Sequence, residues 1–372
     1  MKLKIHYLMP MSGPRNRNRQ MTSSKIKRRM SGWMVDFSHP HVMGILNCTP
    51  DSFSDGGRFS STDQAVSHLD KMVSQGATMI DVGGESTRPG SDPVSVDEEL
   101  NRVIPVLEIA LKKHPHIYFS IDTTKYEVAK VALELGVDFI NDVSGLRKEP
   151  RFVQLCSDYD AGIIIMHSVG DPKTMQINPV YSDVVREVRD FLQSKVDLCQ
   201  DAGIRNIIID PGFGFGKSLD HNLELLQSLR QLSLPGHQST QSSPLVHPGQ
   251  SISHPHTKYP SQLTQSTQSP DPNPQSQPTT SPNSTSQPTT SPDPQQNFDR
   301  QKDQNSIPIL VGISRKSMLG QLLNGRNAEG RLAATVSAHF YALHQGAKIL
   351  RVHDVQEAVD SVKVFEALNF SF

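Results

Sequence analysis

Eight short apolar runs, separated by amphipathic stretches, constrain this 372-residue chain more than any other feature. The runs occupy residues 42–47, 79–84, 117–122, 139–144, 162–167, 207–212, 309–314 and 349–354. Continuous apolar character over about five or six residues suits strands buried on both faces of a parallel sheet. The stretches between them carry helical periodicity, as in KYEVAKVALEL at 125–135 and again over 180–200. Gly76, Gly136, Gly203 and Gly346 stand just before runs, where a left-handed residue closes one helix ahead of the next strand. Eight βα repeats with no second layer of strands predict an α/β protein built as a (β/α)8 TIM barrel. An open doubly wound sheet would stop at about five to seven strands and carry one Gly-rich dinucleotide turn.

Composition supports the barrel once two segments are set apart. The chain is 35% hydrophobic, low for a globular protein. Residues 234–306 hold 13 of the 26 prolines and are dominated by Pro, Gln, Ser and Thr, with SQPTTSP at 276–282 and again at 286–292. Apolar or aromatic residues there are Leu234, Leu245, Val246, Ile252, Tyr259, Leu263 and Phe298. So little apolar surface cannot offset the ordering entropy, which predicts a long disordered insertion between helix 6 and strand 7. An αβ connection lies on the face of a barrel opposite the active site, and loop closure costs grow slowly with length. Residues 1–35 contain Lys2, Lys4, Arg15, Arg17, Arg19, Lys25, Lys27, Arg28 and Arg29 and no acid. They read as a basic flexible N-terminal extension, with a transit peptide or an upstream start as competing readings. No aromatic interleaving supports nucleic-acid binding there. The barrel is then residues 36–233 and 307–372, close to the roughly 250 residues usual for this architecture. A net charge of −1 selects no polyanionic partner, and no run of about 18 apolar residues predicts a membrane span. Cys48, Cys156 and Cys199, scattered and odd in number, point to a reducing compartment rather than a disulfide framework.

Side chains at the C-terminal ends of barrel strands face the substrate. Here those ends carry Asn47, GESTRPG (84–90), Asp122, Asn141 with Asp142, Met166 with His167, Asp210, Ser314-Arg315-Lys316, and Arg351 with His353 and Asp354. One polar strand end is an ordinary cap; eight in register point to a site. Carboxylates such as Asp122 and Asp210 beside the amide of Asn141 suit a flat heterocycle rich in N–H donors. Lys316 offers donors to ring acceptors. Arg351 and His353 alternate onto the same side of a strand and read as an anion site. Asn47 is a hard oxygen donor suited to Mg²⁺ holding a diphosphate. The loops at 49–59 and 85–92 are rich in Gly, Pro, Ser and Asp, and follow the first two strands, where they could exclude water. GFGFGKS (212–218) ends like a P-loop, but Pro211 stands where that pattern needs its first glycine. Its glycines are expected to let backbone approach a ligand. The 15 histidines show no zinc-ligand spacing with cysteine.

These segments together resemble the dihydropteroate synthase family. GILNCTPDSFSDGG (44–57) is similar to its first signature and IDVGGESTRPG (80–90) to its second. SIDT (120–123), INDVSG (140–145), DPGFGFGK (210–217), GISRKS (312–317) and LRVHDV (350–355) follow in family order. The resemblance implies condensation of 6-hydroxymethyl-7,8-dihydropterin diphosphate with p-aminobenzoate, giving 7,8-dihydropteroate and diphosphate. It implies a pterin site of Asp122, Asn141, Met166, Asp210, Phe215 and Lys316, with Asp122, Asp210 and Lys316 catalytic. It implies a diphosphate site of Arg88, Arg351 and His353, with Mg²⁺ on Asn47. It implies a p-aminobenzoate site, also the family's sulfonamide site, of Phe53, Thr87, Arg88, Pro89, Lys316 and Ser317. A cytoplasmic homodimer is the family habit. The chain departs from the family in Cys48, in MHSVGDP (166–172), in the insertion and in the basic extension. A pterin-dependent methyltransferase domain, or an interaction protein acting through the insertion, are the competing functions.

Overall fold

The structure is a computed structural model and describes residues 33–49, 61–86, 91–170, 179–236 and 306–370. Its strands are β1 (His41–Asn47), β2 (Met79–Gly83), β3 (Tyr118–Asp122), β4 (Phe139–Asp142), β5 (Gly162–Met166), β6 (Ile207–Asp210), β7 (Leu310–Val311) and β8 (Ile349–Val352). They form one eight-stranded sheet in the order β6-β5-β4-β3-β2-β1-β8-β7. Each ladder is parallel. The seam between β6 and β7 is joined by a parallel bridge from Ile209 to Ile309, with Ile209 N donating to Pro308 O at 3.0 Å. The sheet thereby closes on itself as the expected TIM barrel.

Helices alternate with the strands: α1 (Ser61–Ser74), α2 (Val96–Lys113), α3 (Tyr126–Leu135), α4 (Phe152–Tyr159), α5 (Val184–Asp201) and α6 (Leu219–Gln227). Beyond β7 come α7 (Ser317–Leu322) and α8 (Leu332–His344), and α9 (Val355–Phe370) follows β8. The helix stops fall where the glycines predict. Gly136 ends α3 at φ 105°, its N–H donating back to Leu133 O, and Val137 turns at once toward β4.

Strand periodicity sorts each run into two faces. Val42, Leu46, Ile80, Val82, Ile121, Ile140, Ile163 and Ile209 pack outward against the helices in the main core. Met43, Met79, Phe139, Ile164, Ile208, Leu310 and Ile349 form a separate cluster inside the barrel. Two residues further along the same inward faces come Ile45, Asp81, Asn141, Met166, Asp210, Gly312 and Arg351. The barrel interior is thus apolar at its N-terminal end and polar at its C-terminal end, which places the site.

Both predicted boundaries shift. Trp33 and Val35, assigned by sequence to the flexible extension, are buried to 4% and 5% exposure and close the apolar floor. Trp33 stacks on Tyr118 and meets Phe139 edge-on at 5.5 Å. Its Nε1 donates to Asp160 O at 3.0 Å, while Asn206 clamps the same segment through Val35 N and Trp33 O. The barrel therefore begins at Trp33; the basic residues before it lie outside the described residues. On the other side Leu234, counted by composition in the insertion, is 1% exposed. Pro235 pairs with Ser306 in an antiparallel bridge, and Ile307 N donates to Leu234 O at 2.8 Å. The disorder predicted for the rest of the insertion falls on residues 237–305, outside those described.

Paired residues sit about 5 Å apart, so a turn of roughly two to four residues can replace residues 238–304. That variant is expected to melt within a few degrees of the full chain. Extending the deletion through Leu234 should cost about 2–5 kcal/mol, because a core leucine goes with it. Thermal melts of the two deletions check this; equal melting temperatures would refute the boundary.

Candidate active site

Asn141, Met166, Asp210, Phe215, Lys316 and Arg351, all predicted site residues, line one cleft at the C-terminal mouth of the barrel. Val143, Phe213 and Gly312 complete it. Asp210 ends β6 and is 6% exposed; its Oδ1 accepts from Gly212 N at 2.7 Å. Asn141 is 4% exposed. Lys316 stands at the start of α7, with Nζ 4.2 Å from the centroid of the Phe215 ring, a cation–π contact that makes one wall of the cleft.

Arg351 turns inward rather than toward an outer anion site. Its Nε donates to Asp81 Oδ2 at 2.7 Å, and its terminal nitrogen to Asp122 Oδ2 at 3.0 Å. Two buried carboxylates thus share one guanidinium, which cannot balance both of them when both are ionised. Burial, then the neighbouring Asp81 carboxylate, push Asp122 up to about 8 against the pull of Arg351. Asp122 Oδ1 is buried and makes no hydrogen bond, so it is the oxygen that can hold the proton. Burial, then Arg351, bring Lys316 down to about 8, opposed by Asp210 and Asp122. Burial also raises Asp210, against the hydrogen bond from Gly212. Carboxylates raised and a lysine lowered at one set of strand ends are the electrostatic pattern of a functional site.

The glycine-rich segment 212–217 is tied from several sides. Lys217, 3% exposed, donates to Gly212 O at 2.9 Å, Phe215 O at 3.1 Å and His167 Nδ1 at 3.0 Å. Burial, then Lys217 and Arg147, hold His167 near 2, so its ring is neutral and its Nδ1 is free to accept. Gly214 N donates to Asn222 Oδ1 at 2.8 Å, and Tyr181 Oη to Gly216 O at 2.9 Å. Ser218 caps α6 through a reciprocal pair with His221. A P-loop aims its N–H groups at phosphate; here the amides of Gly212 and Gly214 are spent on Asp210 and Asn222. The expectation that these glycines let backbone approach a ligand is corrected at Gly212. At φ 71°, a Cβ there would lie 1.8 Å from His167 O, so the close approach is to the loop after β5.

Other predicted residues sit at the rim. Asn47 ends β1 opposite Gly83, half-buried. Ser317 is exposed at the start of α7. His353 lies beyond β8, its N–H donating to Ser314 Oγ at 3.2 Å. Asp142 points away from the cleft and caps its own turn through Ser144 N and Leu146 N. Phe53, Thr87, Arg88 and Pro89 lie outside the described residues. The base of the 85–92 loop is braced by Lys125, which bridges Glu85 and the fully buried Glu99, and by Arg102, which donates to Gly84 O at 2.8 Å. Two central residues escaped the sequence reading. Asp81 is 1% exposed in the middle of β2, and Lys217 was weighed only as part of a failed phosphate motif. The two-residue period from Met79 was the available signal for Asp81.

A barrel whose polar end gathers carboxylates, an amide and a lysine against an aromatic wall defines an enzyme that seats a flat polar heterocycle. Comparison with known proteins agrees: the family described as pterin binding enzyme matches residues 43–243 and 280–353. The dihydropteroate synthase of Escherichia coli K12 is 39% identical over 338 residues, covering 90% of this chain and 94% of the relative. The crystal structure of the Yersinia pestis dihydropteroate synthase, in complex with a sulfonamide drug, aligns with a TM-score of 0.66 at 36% identity, covering 90% of this chain and 96% of that one. That of Burkholderia cenocepacia, complexed with 7,8-dihydropteroate, aligns at 0.65 and 35%, covering 90% and 93%. The chain belongs to the dihydropteroate synthase family, transferases of folate biosynthesis that join a dihydropterin diphosphate to p-aminobenzoate.

Proposed function

We propose that this barrel runs the family's condensation with the pterin ring held by Asp122, Asn141, Met166, Asp210, Phe215 and Lys316. The observation that carries the reading is the grouping of acceptors and a cation in one cleft. Asp210 keeps an oxygen toward the cleft, Asn141 offers its carbonyl, and Lys316 lies over Phe215. The C–O bond to diphosphate breaks with its electron pair leaving on diphosphate, and the electron-rich pterin supports the positive charge on its methylene carbon. Asp122 as a carboxylate stabilises that charge. The amine nitrogen of p-aminobenzoate then forms the C–N bond and loses its proton. The amine and its carboxylate are assigned to Phe53, Thr87, Arg88, Pro89, Lys316 and Ser317, the surface on which a sulfonamide would compete. Arg351, His353 and Arg88 are assigned to the diphosphate; Arg351 reaches it by exchanging Asp122 for a phosphate oxygen while keeping Asp81.

Asn47 fits a magnesium ion of the kind a diphosphate substrate brings. Among the described residues no group of three His, Cys, Asp or Glu could hold a metal alone. Mg²⁺ needs little from the protein, keeping several waters and taking phosphate oxygens, and the half-buried amide of Asn47 supplies a neutral oxygen. Bound there, the ion would offset charge developing on the leaving diphosphate.

The test is diphosphate release from purified protein with both substrates and Mg²⁺. Release is expected to need all three, to fall with a chelator, and to be inhibited by a sulfonamide competitively with p-aminobenzoate. Folded protein that releases nothing would end the reading. The chain shortened across 238–304 should retain release, as a passive insertion requires. A homodimer in the cytoplasm completes the proposal. The three cysteines are buried and, among the described residues, form no disulfide, as suits a reducing compartment, and among the described residues no helix is long and apolar enough to cross a membrane. Sedimentation at a single 41.2 kDa chain mass would remove the dimer.

A further inference from the structure

We propose that Asp81 is a positioning residue that joins the two substrate halves of the cleft, fixing Asn141 as an acceptor toward the pterin and Arg351 as an arm toward the diphosphate. The proposal rests on the site assignment above.

Asp81 sits on the inward face of β2, 1% exposed, beneath the cleft rather than in its wall. Three strands converge on it. Ser120, its register partner on β3, donates from Oγ to Asp81 Oδ1 at 2.5 Å. Asn141 of β4 donates from Nδ2 to Asp81 Oδ2 at 2.9 Å, reaching past the small Ser120 side chain. Arg351 of β8 donates from Nε to the same oxygen at 2.7 Å. A carboxylate in this position can only accept, so it settles which way the Asn141 amide faces. The NH₂ group is spent on Asp81, and the carbonyl oxygen is left for the cleft. Asn141 then recognises an N–H donor and rejects a ring presenting an acceptor at that point. For Arg351, Asp81 Oδ2 takes Nε and also lies 2.6 Å from the terminal nitrogen that holds Asp122 at 3.0 Å. When Asp122 turns to the ligand, Asp81 remains as the counter-charge that keeps the guanidinium in the barrel. A single carboxylate thereby sets the polarity of one subsite and the placement of the other.

Asp81→Asn keeps the shape and removes the charge and the fixed acceptor. Calorimetry with 6-hydroxymethyl-7,8-dihydropterin reads the first subsite and inorganic diphosphate with Mg²⁺ the second. Both affinities are expected to weaken roughly ten- to a hundredfold, the span of one lost hydrogen bond to a charged group, with the melting temperature changed by only a few degrees. The pattern of coupling separates positioning from bulk structure. Asp81→Asn should add little to Asn141→Ala for the pterin and little to Arg351→Lys for diphosphate. The latter two variants, combined, should each affect only their own ligand. If Asp81→Asn does not fold, Ser120→Ala, which removes the hydroxyl on Asp81 Oδ1, is expected to weaken both ligands in the same direction by about threefold. Unchanged affinities in the folded variant, or the full loss persisting in the Asn141→Ala and Arg351→Lys backgrounds, would overturn the proposal. Failure of the unaltered protein to bind the pterin would instead overturn the site assignment.

Discussion

Asp210→Ala is expected to bring pterin binding down by about 10²–10⁴-fold, the loss of two charge-assisted hydrogen bonds at about 1.5–3 kcal/mol each. Asp210 closes β6 at the centre of the cleft, and its Oδ2 lies on the open side, 3.8 Å from where a Cβ on Gly312 would stand. A buried carboxylate there is costly unless something donates to it, and burial already raises its pKa. An amino-pyrimidine edge supplies two parallel donors and recovers that cost only in the complex. The residue has a second duty, because Oδ1 holds Gly212 N at 2.7 Å and so fixes the start of the glycine-rich loop. Asp210→Asn separates the two. Its oxygen can keep Gly212, while its NH₂ faces the ligand's donors and repels them. Both variants should therefore lose the pterin, with the loop preserved in Asp210→Asn. Calorimetric affinity in Asp210→Asn within about threefold of the unaltered protein, a difference near the RT scale of 0.6 kcal/mol, would mean that the ring does not sit on Asp210.

How much of this was legible in sequence follows from the period of a strand. A parallel barrel buries both faces of each strand, so the strands stand out as mainly apolar runs, interrupted inside β2 by Asp81, inside β3 by Ser120 and inside β8 by Arg351, and polar residues near the run ends fall at the mouth. β7 is reduced to Leu310–Val311 within a six-residue run: Ile309 before it is held by a bridge to Ile209, and beyond it the chain turns at residues 314–315, with Lys316 N donating to Ile313 O at 3.2 Å. Partner choice is what sequence could not supply. Arg351 and His353 alternate correctly, yet which acceptor the guanidinium takes depends on Asp81, 270 positions away in the chain. Lys217 reads as a nucleotide-binding lysine until its carbonyl partners are seen. Composition misplaced Trp33 and Leu234 for a shared reason: averages over a basic or proline-rich window hide one residue that packs. The 49–59 and 85–92 loops, which carry Phe53, Thr87, Arg88 and Pro89, are legible as motifs and remain assigned on that ground.

Arg351→Ala should weaken inorganic diphosphate by about ten- to a hundredfold, and its effect on stability should depend on pH. Removing the guanidinium leaves Asp81 and Asp122 in one buried site with no cation bridging them, a situation that costs about 3–5 kcal/mol when both are charged. The direction with pH follows from Asp122. Its folded pKa is raised from 3.8 to about 8, so the folded chain holds a proton that the unfolded chain has released, and stability falls as pH rises through that window. In the unaltered protein the fall ends near pH 8, where Asp122 ionises beside Arg351. The variant lacks the charge that permits ionisation, so its carboxyl titrates higher and its stability goes on falling. The melting deficit of Arg351→Ala should accordingly be smaller at pH 6 than at pH 9. Arg351→Lys, which restores a cation without the fork, should recover most of the stability but not the diphosphate affinity. A deficit equal at both pH values would show that the two carboxylates do not depend on Arg351 for their charge.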